Sequence, residues 1–240
     1  MGEGVPLLTL WSPKGGSGTS VFAAACALVL ARGPGARLVD LGGDQPAIFG
    51  LGAEPHTGVT DWLDAGPGAP TEALDRLAVE AAPGVALIPR GTDAATLAPR
   101  PAAEAGAALA VALRDGPVPT LVDAGAADAP AARALIEVSD ATIVVVRGCY
   151  LTLRRSVRHP ALGRTAGLVV VEEPGRAIGA REIADVLGRP VIARVPSRDS
   201  VARAVDAGVL AHRLPDLLAR PAATALRAVG LLWDQRGAAA

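Results

Sequence analysis

The chain has 240 residues, half of them hydrophobic and 20% charged, with 23 basic against 24 acidic side chains and a formal net charge of −1. That much apolar mass excludes intrinsic disorder, and the charge balance gives no overall electrostatic footprint for nucleic acid. Cys26 and Cys149 stand far apart with no CxxC or His/Cys cluster, which argues against a zinc site or a disulfide framework. The first residues, MGEGVPLLTLW, have no basic n-region, so they do not read as a signal peptide. The longest clean apolar run, Val21 to Ala31, is too short to span a bilayer. The expectation is a cytoplasmic globular protein.

Apolar runs alternate with Ala/Leu-rich stretches from the start of the chain. Leu7–Trp11 reads as a strand, Ser20–Arg32 as a helix and Arg37–Leu41 as a second strand. Residues 42–70 are Gly/Pro-rich and read as a long loop with one or two short helices. A helix over Thr71–Ala82 precedes a strand at Val85–Ile88. Then come a helix over Ala102–Arg114, a strand at Thr120–Asp123, a helix over Ala129–Val138 and a strand at Thr142–Arg147. The last part reads as helix Thr152–His159, strand Gly167–Val171, helix Ala180–Leu187, strand Pro190–Arg194 and helix Ser200–Ala207. A final helical segment covers about 211–236, broken near Pro215 and Pro221. The strands are continuous apolar runs, as expected for strands covered on both faces. Their alternation with helices predicts βαβ crossovers. The expected architecture is therefore an α/β single domain over 1–240, three layers deep, with a mainly parallel twisted sheet of about seven strands.

The strongest local signal is TLWSPKGGSGTSVFAAACALVLA, residues 9–31. A strand, a glycine-rich turn and an apolar helix follow one another, which is the context of a phosphate-binding loop. Glycines let backbone amides turn inward around an anion, and the helix N-terminus adds partial positive charge. In the register of G-x-x-x-x-G-K-[ST], Pro13 stands for the first glycine and Gly18 for the second. Thr19 stands for the lysine and Ser20 for the metal-side hydroxyl. The chain's single lysine, Lys14, lies at the head of this loop, against 22 arginines elsewhere and no asparagine at all. A GC-rich coding sequence accounts for that bias but not for the lysine's position.

The run Lys14-Gly15-Gly16-Ser17-Gly18-x-Ser20 resembles the deviant Walker A loop, KGGxGK[ST], of the ParA/MinD family of P-loop ATPases. The resemblance implies the P-loop NTPase fold and a site for ATP and Mg2+. It also gives Lys14 the role of the signature lysine, which reaches across a sandwich homodimer to the partner's nucleotide. Asp40, at the end of RLVD, matches the first aspartate of the family's DxD element. The second, which positions the attacking water, falls on Gly42, with Asp44 as its substitute. Asp123, at the end of TLVD, resembles the Walker B aspartate that orients the magnesium shell, with Ser20 as the hydroxyl ligand.

Further on, Ser139–Val146 followed by Leu151-Thr152-Leu153-Arg154-Arg155 is similar to a strand–helix step of the family. Val195–Gly208 is similar to its iPyDpavaraidaG segment, whose loop lies beside the adenine and here carries Pro196 and Arg198. The resemblance covers residues 5 to 230. The asparagine that reads adenine after the sixth strand is missing, since Val171 is followed by Glu172-Glu173.

Within the family the pattern is most similar to the CpaE/TadZ branch, which positions Flp pilus machinery, and to septum-site-determining-like proteins. These often carry degenerate loops. The branch's receiver-like domain has no counterpart in this sequence. The resemblance thus implies a positioning protein for pilus or secretion machinery, acting as a scaffold or slow switch and drawn to the membrane or cell pole by protein partners. Two other readings stand beside it: a septum-site regulator, and an active chromosome- or plasmid-partitioning ATPase that uses DNA as a track. Thr19 carries no charge for the γ-phosphate, which points to weak nucleotide binding and very slow turnover and disfavours the DNA-tracking reading.

Three features keep alternatives open. Arg154, Arg155, Arg158 and His159 read as a basic helix face, for DNA phosphates or simply for solvent. Leu226–Trp233 reads either as a membrane-targeting helix or as a docked final helix. Cys149 invites comparison with iron–sulfur relatives, whereas Cys26 sits in the apolar loop helix and reads as core packing.

Overall fold

The computed structural model describes residues 6–91 and 99–232. Its elements run β1 (Leu7–Trp11), α1 (Thr19–Leu30), β2 (Ala36–Asp40), α2 (Gln45–Phe49), α3 (Val59–Asp64), α4 (Glu72–Leu77), β3 (Val79–Ala82), β4 (Val85–Ile88) and α5 (Pro99–Arg114). They continue β5 (Thr120–Asp123), α6 (Pro130–Val138), β6 (Ala141–Arg147), α7 (Tyr150–Arg158), a 3-10 turn at Pro160–Arg164, β7 (Gly167–Glu172), α8 (Ala180–Leu187), β8 (Val191–Pro196), α9 (Asp199–Asp206) and α10 (Asp216–Ala228).

Eight strands form one sheet in the order β3-β4-β2-β5-β1-β6-β7-β8. Every pairing is parallel except β3 with β4. The chain builds outward on one side of β1, returns through β5, and then builds outward on the other side. Ligands of such sheets bind where the order reverses, outside the carboxyl ends of the strands.

Successive residues of β1 face opposite sides, and both sides are buried. Leu8 and Leu10 join the core under α1 and α10, while Leu7 and Trp11 join the cores on the opposite face. This explains why the strands read as unbroken apolar runs. Helix α1 is apolar all round and buries Phe22 and the whole run Ala23–Leu30, as a helix wedged between the sheet and α10 must.

The expected helix over Thr71–Ala82 is replaced by two elements. Helix α4 ends at Leu77, and Val79–Ala82 forms the antiparallel edge strand β3, the eighth strand. The physical reason is the Pro83-Gly84 pair. Gly84 takes a left-handed φ of 79° and turns the chain straight back into β4, which makes a hairpin of two short apolar runs. The remaining strands lie within about two residues of their expected bounds. The final helix begins after Pro215 and tolerates Pro221 in its interior. The end of the expected segment, Trp233 onward, and residues 1–5 of the leading stretch lie outside the described residues. No described helix is long and apolar enough to cross a membrane.

Candidate phosphate-binding site

The loop between β1 and α1 is shaped by two glycines and two serines. Gly16 and Gly18 take left-handed φ values of 74° and 93°, a region that a Cβ disfavours by roughly 1 kcal/mol or more. Ser17 Oγ donates to the Lys14 carbonyl at 3.0 Å, and Ser12 Oγ lies 2.8 Å from the same oxygen. The Ser12 amide donates to the Gly125 carbonyl at 2.8 Å and ties the loop to the end of β5. The loop is therefore held from below, while the positions where Cβ atoms of Gly15 and Gly16 would stand have nothing within 4 Å.

The open side faces a cavity of about 620 Å³, lined by Gly15 through Val21 together with Asp44, Gly125, Arg147 and Asp206. Thr19 heads α1 on this wall, and its buried Oγ1 has no hydrogen-bond partner. An orphaned hydroxyl at a helix N-terminus beside an open glycine cradle fits an anion such as a phosphate.

Beneath the cavity the two strand-end aspartates face each other in register across β2 and β5. Asp40 accepts from the amides of Gly43 at 2.6 Å and Gln45 at 2.9 Å. Asp123 accepts from Gln45 Nε2 at 2.8 Å and from the Gly125 amide at 3.0 Å. Burial, and then the Asp123 carboxylate beside it, raises Asp40 to about 7, against the two amide donors that lower it. Burial likewise holds Asp123 above the ordinary carboxylate range, despite hydrogen bonds from Gln45, Ser20 and Gly125. A Cβ on Gly42 would stand 3.4–3.6 Å from Asp123 Oδ2, Asp40 Oδ1 and Ser20 Oγ. A side chain at position 42, where the resemblance expects an aspartate, would thus start in ordinary contact with these three oxygens. Asp44 enters the cavity wall instead and accepts from Ser20 Oγ at 3.3 Å.

A magnesium ion fits less completely than a phosphate. Among the described residues no group of three or more His, Cys, Asp or Glu side chains is placed to hold a metal. Both Asp123 oxygens are engaged by Gln45 and Gly125. Ser20 and Asp44 line the cavity and are the side chains that would meet an ion there.

A second cleft of about 160 Å³ adjoins the first and shares Gly18, Val21, Arg147, Val205 and Asp206 with it. Its walls include Phe22, Val171, Pro196 and Arg198. Pro196 at the end of β8, Arg198 just after it and the strand residue Val171 thus line one largely apolar slot next to the glycine loop, while Glu172 and Glu173 are not among its walls. Lys14 is not on either wall; its ammonium reaches only the Gly15 carbonyl, at 3.3 Å, at the solvent surface.

One expectation changes, one open alternative is decided and one reading holds. His159 leaves the basic face, because its ring stacks on buried Trp11 with centroids 4.5 Å apart and burial lowers its pKa. Arg154, Arg155 and Arg158 stay exposed. Leu226 and Leu231 are buried in the core under α1, so this stretch of the terminal segment is docked. Cys26 is buried, and burial pushes its thiol far up. Cys149 caps α7 with Sγ 2.9 Å from Thr152 Oγ1.

Sequence reasoning missed Gln45, which bridges Asp123 and the Ser20 carbonyl, and Arg147, which lines both cavities. Gln45 carries no motif. Arg147 is merely the last residue of a strand, and only the sheet order shows that this strand adjoins the glycine loop.

No protein-family profile and no curated protein matches the chain. Solved structures do. A ParA family ATPase from Chlorobium tepidum superposes with a TM-score of 0.74 at 21% identity, over 96% of this chain and 100% of that one. The septum site-determining protein MinD of Pyrococcus horikoshii, complexed with Mg-ADP, superposes with 0.74 at 17% identity, over 94% and 96%. A McdA–ATP complex from Cyanothece superposes with 0.72 at 15% identity, over 97% and 99%.

Proposed function

We propose that this chain, which has the three-layer fold of the ParA and MinD ATPases, is a nucleotide-dependent positioning protein of the ParA/MinD kind, with weak or absent ATPase activity. The observation that carries the reading is the pair of adjoining cavities, the glycine cradle and the slot at Val171, Pro196 and Arg198, which share Gly18 and Arg147 as walls. The two cavities suit the two ends of an adenine nucleotide. Some solved structures of the same fold contain Mg-ADP or ATP, which supports the same occupant here.

The residues divide the work as follows. Amides of Gly15 to Thr19 hold phosphate, the Ser20 hydroxyl meets a nucleotide-bound magnesium ion, and Asp123 orients that shell through water. Asp40 and Asp44 order the loop where the attacking water would stand. Magnesium, when bound, screens the phosphate charge. Turnover is slow because Thr19 offers a hydroxyl where the usual loop offers an ammonium; losing one such preorganised stabiliser typically costs on the order of 10²–10³ in rate. Lys14, half-buried and outside its own cavity, would serve the nucleotide of a second copy, making the ATP state dimeric. Within this class the motifs favour a role in pilus or secretion machinery, followed by septum-site regulation, over a DNA-tracking partition ATPase.

The test is size-exclusion with light scattering in Mg-ATP, Mg-ADP and no nucleotide. The reading expects dimers with Mg-ATP only, lost in Lys14→Ala, and a faster phosphate release in Thr19→Lys than in the wild type. A dimer population indifferent to ATP and to Lys14→Ala would overturn the switch.

A further inference from the structure

The cavity over the glycine loop has an electrostatic deficit that the loop does not fill. Thr19 is neutral, and Lys14 stands outside. Among the described residues lining the cavity, Arg147 is the one cation, facing Asp44 and Asp206. It ends β6, the strand paired with β1 on the side away from β5. That placement makes its side chain a wall of both cavities, the cradle and the apolar slot.

The guanidinium is only partly committed. Its Nη1 donates to Glu173 Oε1 at 2.7 Å. Its Nε is buried without an acceptor, and a third of the side chain remains accessible. An arginine with five donors and a buried one unspent is poised for a second acceptor. Glu173, for its part, does not depend on Arg147. Its other oxygen takes Arg176 Nε at 2.7 Å, so Arg147 can leave without stranding a buried carboxylate.

We propose that Arg147 is the phosphate-binding cation of this site, parked on Glu173 and transferred to the phosphate chain of an adenine nucleotide at the junction of cradle and slot. The proposal rests on the nucleotide reading above. It assigns the missing loop charge to the end of a neighbouring strand, in the same chain. A guanidinium suits this place because its planar fork can meet two phosphate oxygens at once. Glu173 becomes a competitor for that fork, so the pair sets nucleotide affinity.

The experiment is calorimetric titration of Mg-ADP and of adenosine into wild type, Arg147→Ala, Arg147→Lys and Glu173→Gln, with a melting temperature for each. Arg147→Ala is expected to weaken Mg-ADP about 10–100-fold, the scale of a charge-assisted hydrogen bond, while leaving adenosine within about two-fold. Arg147→Lys recovers part of the loss. Glu173→Gln tightens Mg-ADP several-fold, because the competing anion is gone and Arg176 still holds position 173. A purely structural pair would move both variants the same way, with falling melting temperatures and equal loss for adenosine and Mg-ADP; that pattern overturns the proposal. So does Mg-ADP binding by Arg147→Ala at wild-type strength, which would leave the nucleotide reading standing. Wild type that binds neither compound overturns the nucleotide reading and this assignment together.

Discussion

Asp40 shows what a single residue contributes to both stability and readiness for a ligand. Its carboxyl titrates near 7 in the fold against 3.8 as the ordinary value. The folded state therefore holds a proton that the unfolded chain has already released between about pH 4 and 7. Stability falls as pH rises through that window, by at most about 1.4 kcal/mol per pH unit for this one group. Melting temperatures should decline from about pH 4 to about 7, and Asp123→Asn, which removes the charge that adds to burial in raising Asp40, should make the decline shallower. An unchanged slope in Asp123→Asn would contradict the pairing. Gly18 is the second case. With φ at 93°, Gly18→Ala should cost about 1–2 kcal/mol in denaturant unfolding. At this scale the sequence showed the glycines, the serines and the strand-end aspartates, because each type is selected by a local backbone need. It did not show Arg147 or Gln45, whose roles come from strands and loops distant in sequence.

Elements were legible in proportion to their length and apolarity. Helix α1 and the buried parallel strands could be read almost to the residue. Strand β3 could not: four residues, one of them Glu80, follow a short helix and carry no periodicity of their own. Only the Pro83-Gly84 turn marks it, and that signal takes meaning from β4 beyond. Coupling between elements was invisible in the sequence. The C-terminal ends of α2 and α9 meet at Gly50 and Gly208, where a Cβ on Gly50 would fall 2.1 Å from the Gly208 carbonyl oxygen. Ala47 and Ile48 of α2 line the phosphate cavity, and Val205 and Asp206 of α9 line both cavities. Gly50→Ala must push these helices apart. It should destabilise the fold by about 1–3 kcal/mol, as overpacking does, and weaken nucleotide binding in calorimetry through both walls. Loss of stability with unchanged affinity would show the two helices to be independent of the site.

At the scale of the whole molecule the sheet order explains why the site sits where it does. The reversal at β1 gathers the ends of β1, β2, β5 and β6 around one crevice, and β7 and β8 add the slot beside it. The fold is shared with ATPases at 21% identity or less, and the cradle itself is built from backbone and glycine. On the function proposed above, a neutral Thr19, a glycine at position 42 and an arginine at the strand end would favour holding a nucleotide over cleaving it. Everything proposed for the site rests on the glycine loop binding nucleotide. The measurement is calorimetric titration of Mg-ADP into the wild type and Thr19→Lys. Binding by the wild type is expected, and tighter binding by Thr19→Lys. Absence of binding by the folded wild type would overturn it.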